Sequence, residues 1–171
     1  MTSLDASPET AIGRAMFDEL LYIHGAIRAD LATVERLAGE VASGLPARDV
    51  RSQIDSLQTR SPVWQLKVNC RMYCRFVHLH HRMEDAMFFP RLREANPALS
   101  PVVDKLEADH RVVSTLLDDV EHAASALSDD CDDAARSRLV DGLTALATQL
   151  LEHLQYEEQE AGPTIRRMTG F

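Results

Sequence analysis

Two segments of this chain repeat one spacing of a histidine and a carboxylate: His80-His81-Arg82-Met83-Glu84-Asp85 in the middle, and His153-Leu154-Gln155-Tyr156-Glu157-Glu158 near the end. On a helix, residues four apart lie one turn apart on one face, so each segment presents an imidazole and a carboxylate together. A proline stands ten residues after each histidine, Pro90 and Pro163, and a lone histidine precedes each pair, His24 and His110. A repeated His … His-x-x-x-Glu pattern is the signature of a metal site built between helices.

The rest of the chain supplies the helices. Ser7-Pro8, Ser61-Pro62 and Ser100-Pro101 read as helix starts, since serine caps an N-terminus and proline suits the first turn, where its missing N–H goes unused. The carboxylates of Ser128–Asp133 mark a fourth start by opposing the helix dipole. Gly44-Leu45-Pro46 and Gly162-Pro163 read as stops. Helices are therefore expected over about 8–43, 62–95, 101–127 and 132–161, with 47–60 as a connector. Apolar residues recur at spacings of three and four along each. The inward stripes are Phe17, Leu20, His24, Ile27, Leu31, Val34, Ala38 and Val41; Leu66, Cys70, Tyr73, Val77, His80, Glu84 and Met87; Leu106, His110, Val113, Leu117, Val120 and Ala124; and Leu139, Leu143, Leu146, Leu150, His153 and Glu157. A second register on the second helix, through Cys74, His78, His81, Asp85, Phe88 and Leu92, competes with the first; alignment with the C-terminal copy favours His80.

Four long helices with short connections give an all-α, up-down antiparallel four-helix bundle, a single domain over 1–171. Superposing His24 on His110 also aligns Leu20 with Leu106, Ile27 with Val113, Leu31 with Leu117 and Glu35 with Glu121. The chain thus reads as two helix pairs about a pseudo-two-fold axis. Its 171 residues suffice to bury about 70% of the unfolded surface, and with only 5% aromatic residues the core must be aliphatic. The formal charge of −9 argues against nucleic acid as a partner. No run of about 18 apolar residues spans a membrane. No secretory signal is seen. Three cysteines without a framework spacing fit a reducing cytoplasm.

One histidine in an apolar stripe is ordinarily a satisfied core residue. Four on four helices, with two glutamates at a repeated spacing, are a different matter. Two carboxylates buried without a counter-charge cost several kcal/mol, and a cation at the bundle centre removes that cost. The candidate ligands are His24, His80, Glu84, His110, His153 and Glu157. Imidazoles with carboxylates suit iron, manganese or zinc, and the lack of thiolates argues against a structural zinc cage.

On these residues the chain resembles the haemerythrin-like (HHE cation-binding) family, from about Phe17 to Pro163. Phe88-Phe89-Pro90 is similar to the Leu-Phe-Pro that often follows the first His-x-x-x-Glu there. The resemblance implies two iron ions, a non-haem di-iron centre bridged by oxide or hydroxide, with His24 and His80 on one ion, His110 and His153 on the other, and Glu84 and Glu157 bridging. A ferritin-like di-iron bundle is the rival, but Glu107-Ala108-Asp109-His110 is its only Glu-x-x-His match. Oxygen-carrying haemerythrins have a fifth histidine four after the third-helix one; here that residue is Ser114. Four histidines, two bridging carboxylates and a bridging oxygen fill about ten of about twelve octahedral positions, leaving about one open on each ion. That count favours reaction with a small oxidant, hydrogen peroxide by catalase-like disproportionation or dioxygen. The alternatives are a module sensing oxygen, nitric oxide or iron without turnover, and a metal that is only structural.

Lesser candidates complete the reading. Tyr73, two turns before His80, is either a core aromatic or a phenol acting beside the centre. Cys70 and Cys74 read as small buried hydrophobes, and His78, His81 and His122 as surface or supporting residues, with His81–Asp85 the reserve pair. Tyr156 points off the stripe, Arg28 reads as a surface or mouth residue, and Asp129–Asp133 as a solvated cap.

Overall fold

The computed structural model describes residues 7–43, 62–128 and 133–170. Within them the chain is helical: α1 (Ala11–Ala42), α2 (Pro62–Met83), a π-helical turn (Glu84–Phe88), α3 (Phe89–Ala95), a 3-10 turn (Pro97–Leu99), α4 (Ser100–Ala126), α5 (Asp133–Glu160) and α6 (Gly162–Ile165). The stop at Gly44-Leu45-Pro46, the connector 47–60 and most of the acidic run lie outside the described residues. The long helices pack in a ring, with α1 and α4 each against both α2 and α5. Among the described residues no helix is long and apolar enough to cross a membrane.

Two of the expected caps are replaced, the first with tertiary contacts and the second by a local one. Thr10, not Ser7, caps α1: its hydroxyl accepts from the Gly13 N–H at 2.8 Å. The same hydroxyl donates to the Met168 carbonyl, and the Thr10 N–H donates to the Arg166 carbonyl at 2.9 Å. The start of α1 is thereby tied to the end of the chain. Before α4, Asn96 caps the 3-10 turn by accepting from the Ala98 N–H at 3.2 Å. Ser100 is already helical, and its hydroxyl donates back to the Pro97 carbonyl at 2.9 Å.

The core is aliphatic and lies in two bodies. The larger includes Ile27, Leu31 and Val34 of α1, Tyr73, Cys74 and Val77 of α2, Val113 and Leu117 of α4, and Leu146 and Leu150 of α5. The smaller includes Phe17, Leu20, Phe89, Leu92, Val103, Leu106, Ala161 and Ile165. On every long helix the sequence passes from one body to the other through a histidine, so a polar layer divides the core.

The stripes of α1, α4 and α5 are buried as expected, apart from a half-buried Val41. On α2 the expected pattern fails beyond Glu84, where Met87 is 60% exposed and Phe89 and Leu92 are buried instead. The π-helical turn explains this: the Phe89 N–H donates to the Glu84 carbonyl five residues back. One extra residue in the turn rotates all that follows by about 100° relative to an unbroken helix.

The smaller body is closed by backbone contact. A Cβ on Gly13 would lie 2.4 Å from the Arg166 carbonyl oxygen, whereas one on Gly39 meets nothing within 4 Å. Gly13→Ala is therefore expected to lose about 1–3 kcal/mol to overpacking. Gly39→Ala should gain about 0.5–1 kcal/mol from helix propensity. Thermal unfolding of the two variants beside the parent checks the pair.

Candidate metal centre

The dividing layer contains His24 of α1, His80 and His81 of α2, Glu84 at the π-helical turn, His110 of α4, and His153 and Glu157 of α5, all buried. Glu84 spans it: Oε1 is 3.3 Å from His80 Nε2 and Oε2 is 3.5 Å from His110 Nε2. Glu157 spans it from the other side, with Oε2 3.4 Å from His24 Nε2 and 3.9 Å from His153 Nε2. The six residues read from the repeated motif thus come together. Two overlapping groups can each hold a cation: His24, His80 and Glu84; and His81, Glu84, His110 and His153. The donor atoms in each lie within 4.8 Å of one another, and Glu84 belongs to both.

His81 corrects the reading of it as a surface or supporting residue. It is 4% exposed, and its ring lies parallel to that of His110 with centroids 4.0 Å apart. The competition between registers on α2 was a false choice. This helix packs against both α1 and α4, so it buries a broad face: Cys70, Tyr73, Cys74, Val77, His80 and His81 are all inside. Adjacent histidines lie about 100° apart around a helix, within the width of such a stripe. The consecutive His80-His81 is the signal in the sequence, although only His80 has a counterpart in the C-terminal copy. A fifth imidazole, His81, thus lies in the layer beside the four expected.

Each glutamate is followed by a second carboxylate that reaches a histidine on another helix. Asp85 accepts from His110 Nδ1 at 2.7 Å, and Glu158 accepts from His24 Nδ1 at 2.8 Å and pairs with Arg28 at 2.8 Å. Arg28, read as a surface or mouth residue, thus anchors this chain of contacts. A histidine donating through Nδ1 keeps its Nε2 lone pair free, and both Nε2 atoms face the glutamates. Asp85 serves His110 rather than completing the reserve pair with His81.

The residues fit a cation. Nε2 of His24, His80 and His81 and all four carboxylate oxygens of Glu84 and Glu157 are buried without a hydrogen-bond partner. Such atoms cost about 1–3 kcal/mol each, and more when charged. His110 and His153 place their Nε2 atoms 3.1 Å apart. In the metal-free chain this is a hydrogen bond with His153 donating. It is also close to the ~3.0 Å separating two nitrogens at right angles, each ~2.1 Å from one ion. Burial holds three of the imidazoles neutral, with His80 pushed down to about 3 and His153 to about 2, and His81 lower still. Burial and then the Glu157 carboxylate push Glu84 well above the usual carboxylate range.

Other candidates stand apart. The Tyr73 hydroxyl is buried without a partner, so it orients no histidine, and burial raises its phenol far above the ordinary value. Cys70 and Cys74 are buried free thiols, both pushed up to about 12 by burial. His78 pairs with Asp118 at 3.2 Å, and His122 is exposed.

Acid should weaken the metal-free bundle. His80, His81 and His153 take up protons near the ordinary 6.5 when unfolded but only far lower when folded. Their contribution is present above 6.5 and is lost as pH falls. Glu84 acts oppositely, since its folded form keeps a proton that the unfolded chain releases near 4.5. Three groups against one make the thermal midpoint fall between pH 6.5 and 4.5, measurable by circular dichroism. Asp85→Asn and Glu158→Gln should each weaken metal binding about 10–100-fold, because the supporting carboxylate orients the ligand imidazole. Competition with a chelator reads the change.

Comparison with known proteins agrees with this geometry. No curated protein and no solved structure matches the chain significantly. The family model for the Hemerythrin HHE cation binding domain, however, matches residues 16–165, a span that takes in every donor of the layer. The chain belongs to the haemerythrin HHE cation-binding family.

Proposed function

We propose that the layer holds a non-haem di-iron centre with one exchangeable position, and that it takes a small oxidant there, dioxygen or hydrogen peroxide. The observation that carries this reading is the sharing of Glu84 between two donor groups. A carboxylate with one oxygen toward His80 and the other toward His110 is placed to bridge two ions. His24 and His80 serve one, and His81, His110 and His153 the other. We read the bundle as up-down, with two helix pairs about a pseudo-two-fold axis from which His81 departs.

With two ions held there, five imidazoles, two bridging carboxylates and a bridging oxygen would fill about eleven of about twelve octahedral positions. About one is left. Peroxide disproportionation through two open sites loses its support, and binding or sensing of a single ligand without turnover gains as the second reading. Bound iron supplies one-electron redox chemistry and Lewis acidity. The chain's own groups do the rest. Asp85 and Glu158 fix the ring orientation of His110 and His24. Leu20, Leu106 and Phe89 on one side, and Ile27, Val77 and Val113 on the other, keep the layer dry. Glu84 must give up its proton to serve as a ligand, so loading releases protons and tightens as pH rises.

The test is metal content with an optical spectrum, then addition of peroxide. About two irons per chain are expected. Oxygen release on adding peroxide marks turnover, and a spectral change without it marks a binding or sensing module. Zinc, or no metal after gentle purification, overturns the di-iron assignment. His81→Ala should keep iron and open a second position, raising any peroxide turnover.

A further inference from the structure

Two pockets reach the layer from opposite flanks of α2, and they differ in chemistry. One is polar, about 250 Å³, with His78, Arg82, Asp85, Arg111 and Ser114 leading to His81 and His110. The other is apolar and larger, about 340 Å³; Leu20 and Ile23 of α1 and Phe76, Leu79 and Met83 of α2 form its walls, and His80 and Glu84 lie at its inner end.

The geometry points to the apolar pocket as a binding site for a small, uncharged organic molecule held against the His80–Glu84 side of the centre. Its volume is roughly twice that of a cavity of ~150 Å³ that takes up benzene, so it exceeds what a diatomic ligand needs. Water gains little along its mostly apolar walls, whose polar lining residues are Glu19, His80 and Glu84. Polar reactants and protons have the other flank. The walls are also adaptable: Met83 at the mouth is an unbranched, polarisable side chain that reshapes around different apolar guests. Glu84 is 5% exposed, and neither of its oxygens has a hydrogen-bond partner. The pocket therefore ends on a group that the apolar walls leave unsatisfied and that belongs to both donor groups.

A guest in this pocket lies within reach of whatever the exchangeable position holds, which makes it a candidate co-substrate or effector. That role rests on the metal-centre reading; binding itself does not.

The test is calorimetric titration of the as-isolated, metal-loaded protein with toluene, followed in parallel by the optical spectrum of the centre. Saturable binding of about one toluene per chain is expected, with a shift of the spectrum. Leu79→Trp, which fills the mouth and removes no donor, should weaken binding about tenfold or more at unchanged metal content. Leu151→Trp, a similarly exposed leucine that does not line the pocket, should bind as the parent does. Absence of saturable binding by the metal-loaded parent overturns the proposal, as does equal binding by Leu79→Trp. So does a parent that binds no toluene and elutes as a dimer, for then a second copy covers the mouth. If the isolated chain carries no metal, the calorimetric arm still decides the pocket, and the two readings fail separately.

Discussion

Two carboxylates buried among five imidazoles at mid-bundle are the constraint on which the rest of this structure depends. Glu84 and Glu157 lie in a layer where their oxygens find no hydrogen-bond donor. An uncompensated charge in such a place is expensive. The metal-free chain meets the problem with protons, keeping Glu84 protonated and His80, His81 and His153 neutral. A cation meets it with charge. The layer that weakens the empty core is thus the one that makes the filled core selective for a metal.

The surrounding architecture positions that layer. Apolar bodies on both sides hold the helices together, and the contacts of Thr10 with Arg166 and Met168 lock the first helix to the chain's end. The π-helical turn matters most. It lets Glu84 lie in the layer while Asp85 reaches the outer nitrogen of His110, and it then turns Phe89 back inward against the same ring, with centroids 5.2 Å apart. One inserted residue thereby lets Glu84, Asp85 and Phe89 all meet the ring of His110. Such local departures from regular helix geometry cluster at functional sites.

The tandem carboxylates show how one short motif can serve two helices. In Glu84-Asp85 and Glu157-Glu158 the first residue enters the layer and the second supports a histidine on another helix, His110 or His24. Crossed support of this kind couples helix packing to ring orientation. Loss of either carboxylate is then felt in metal affinity before it is felt in the fold.

Periodicity together with the repeated motif was enough to place the four long helices, most of their inward faces and the His24, His80, Glu84, His110, His153 and Glu157 layer, because helical spacing of apolar residues reports directly on which face is buried. The repeated motif also exposed the family, since ligand spacing on helices is a local property. Three things were decided only in three dimensions. His81 entered the layer because α2 lies between two neighbours and buries a broader face than one stripe. Met87 left it because a single hydrogen bond closed over five residues instead of four. Thr10 displaced Ser7 as a cap because its partners come from the far end of the chain. Each depends on contacts between residues remote in sequence or on a one-residue change of helical phase, which local pattern does not encode.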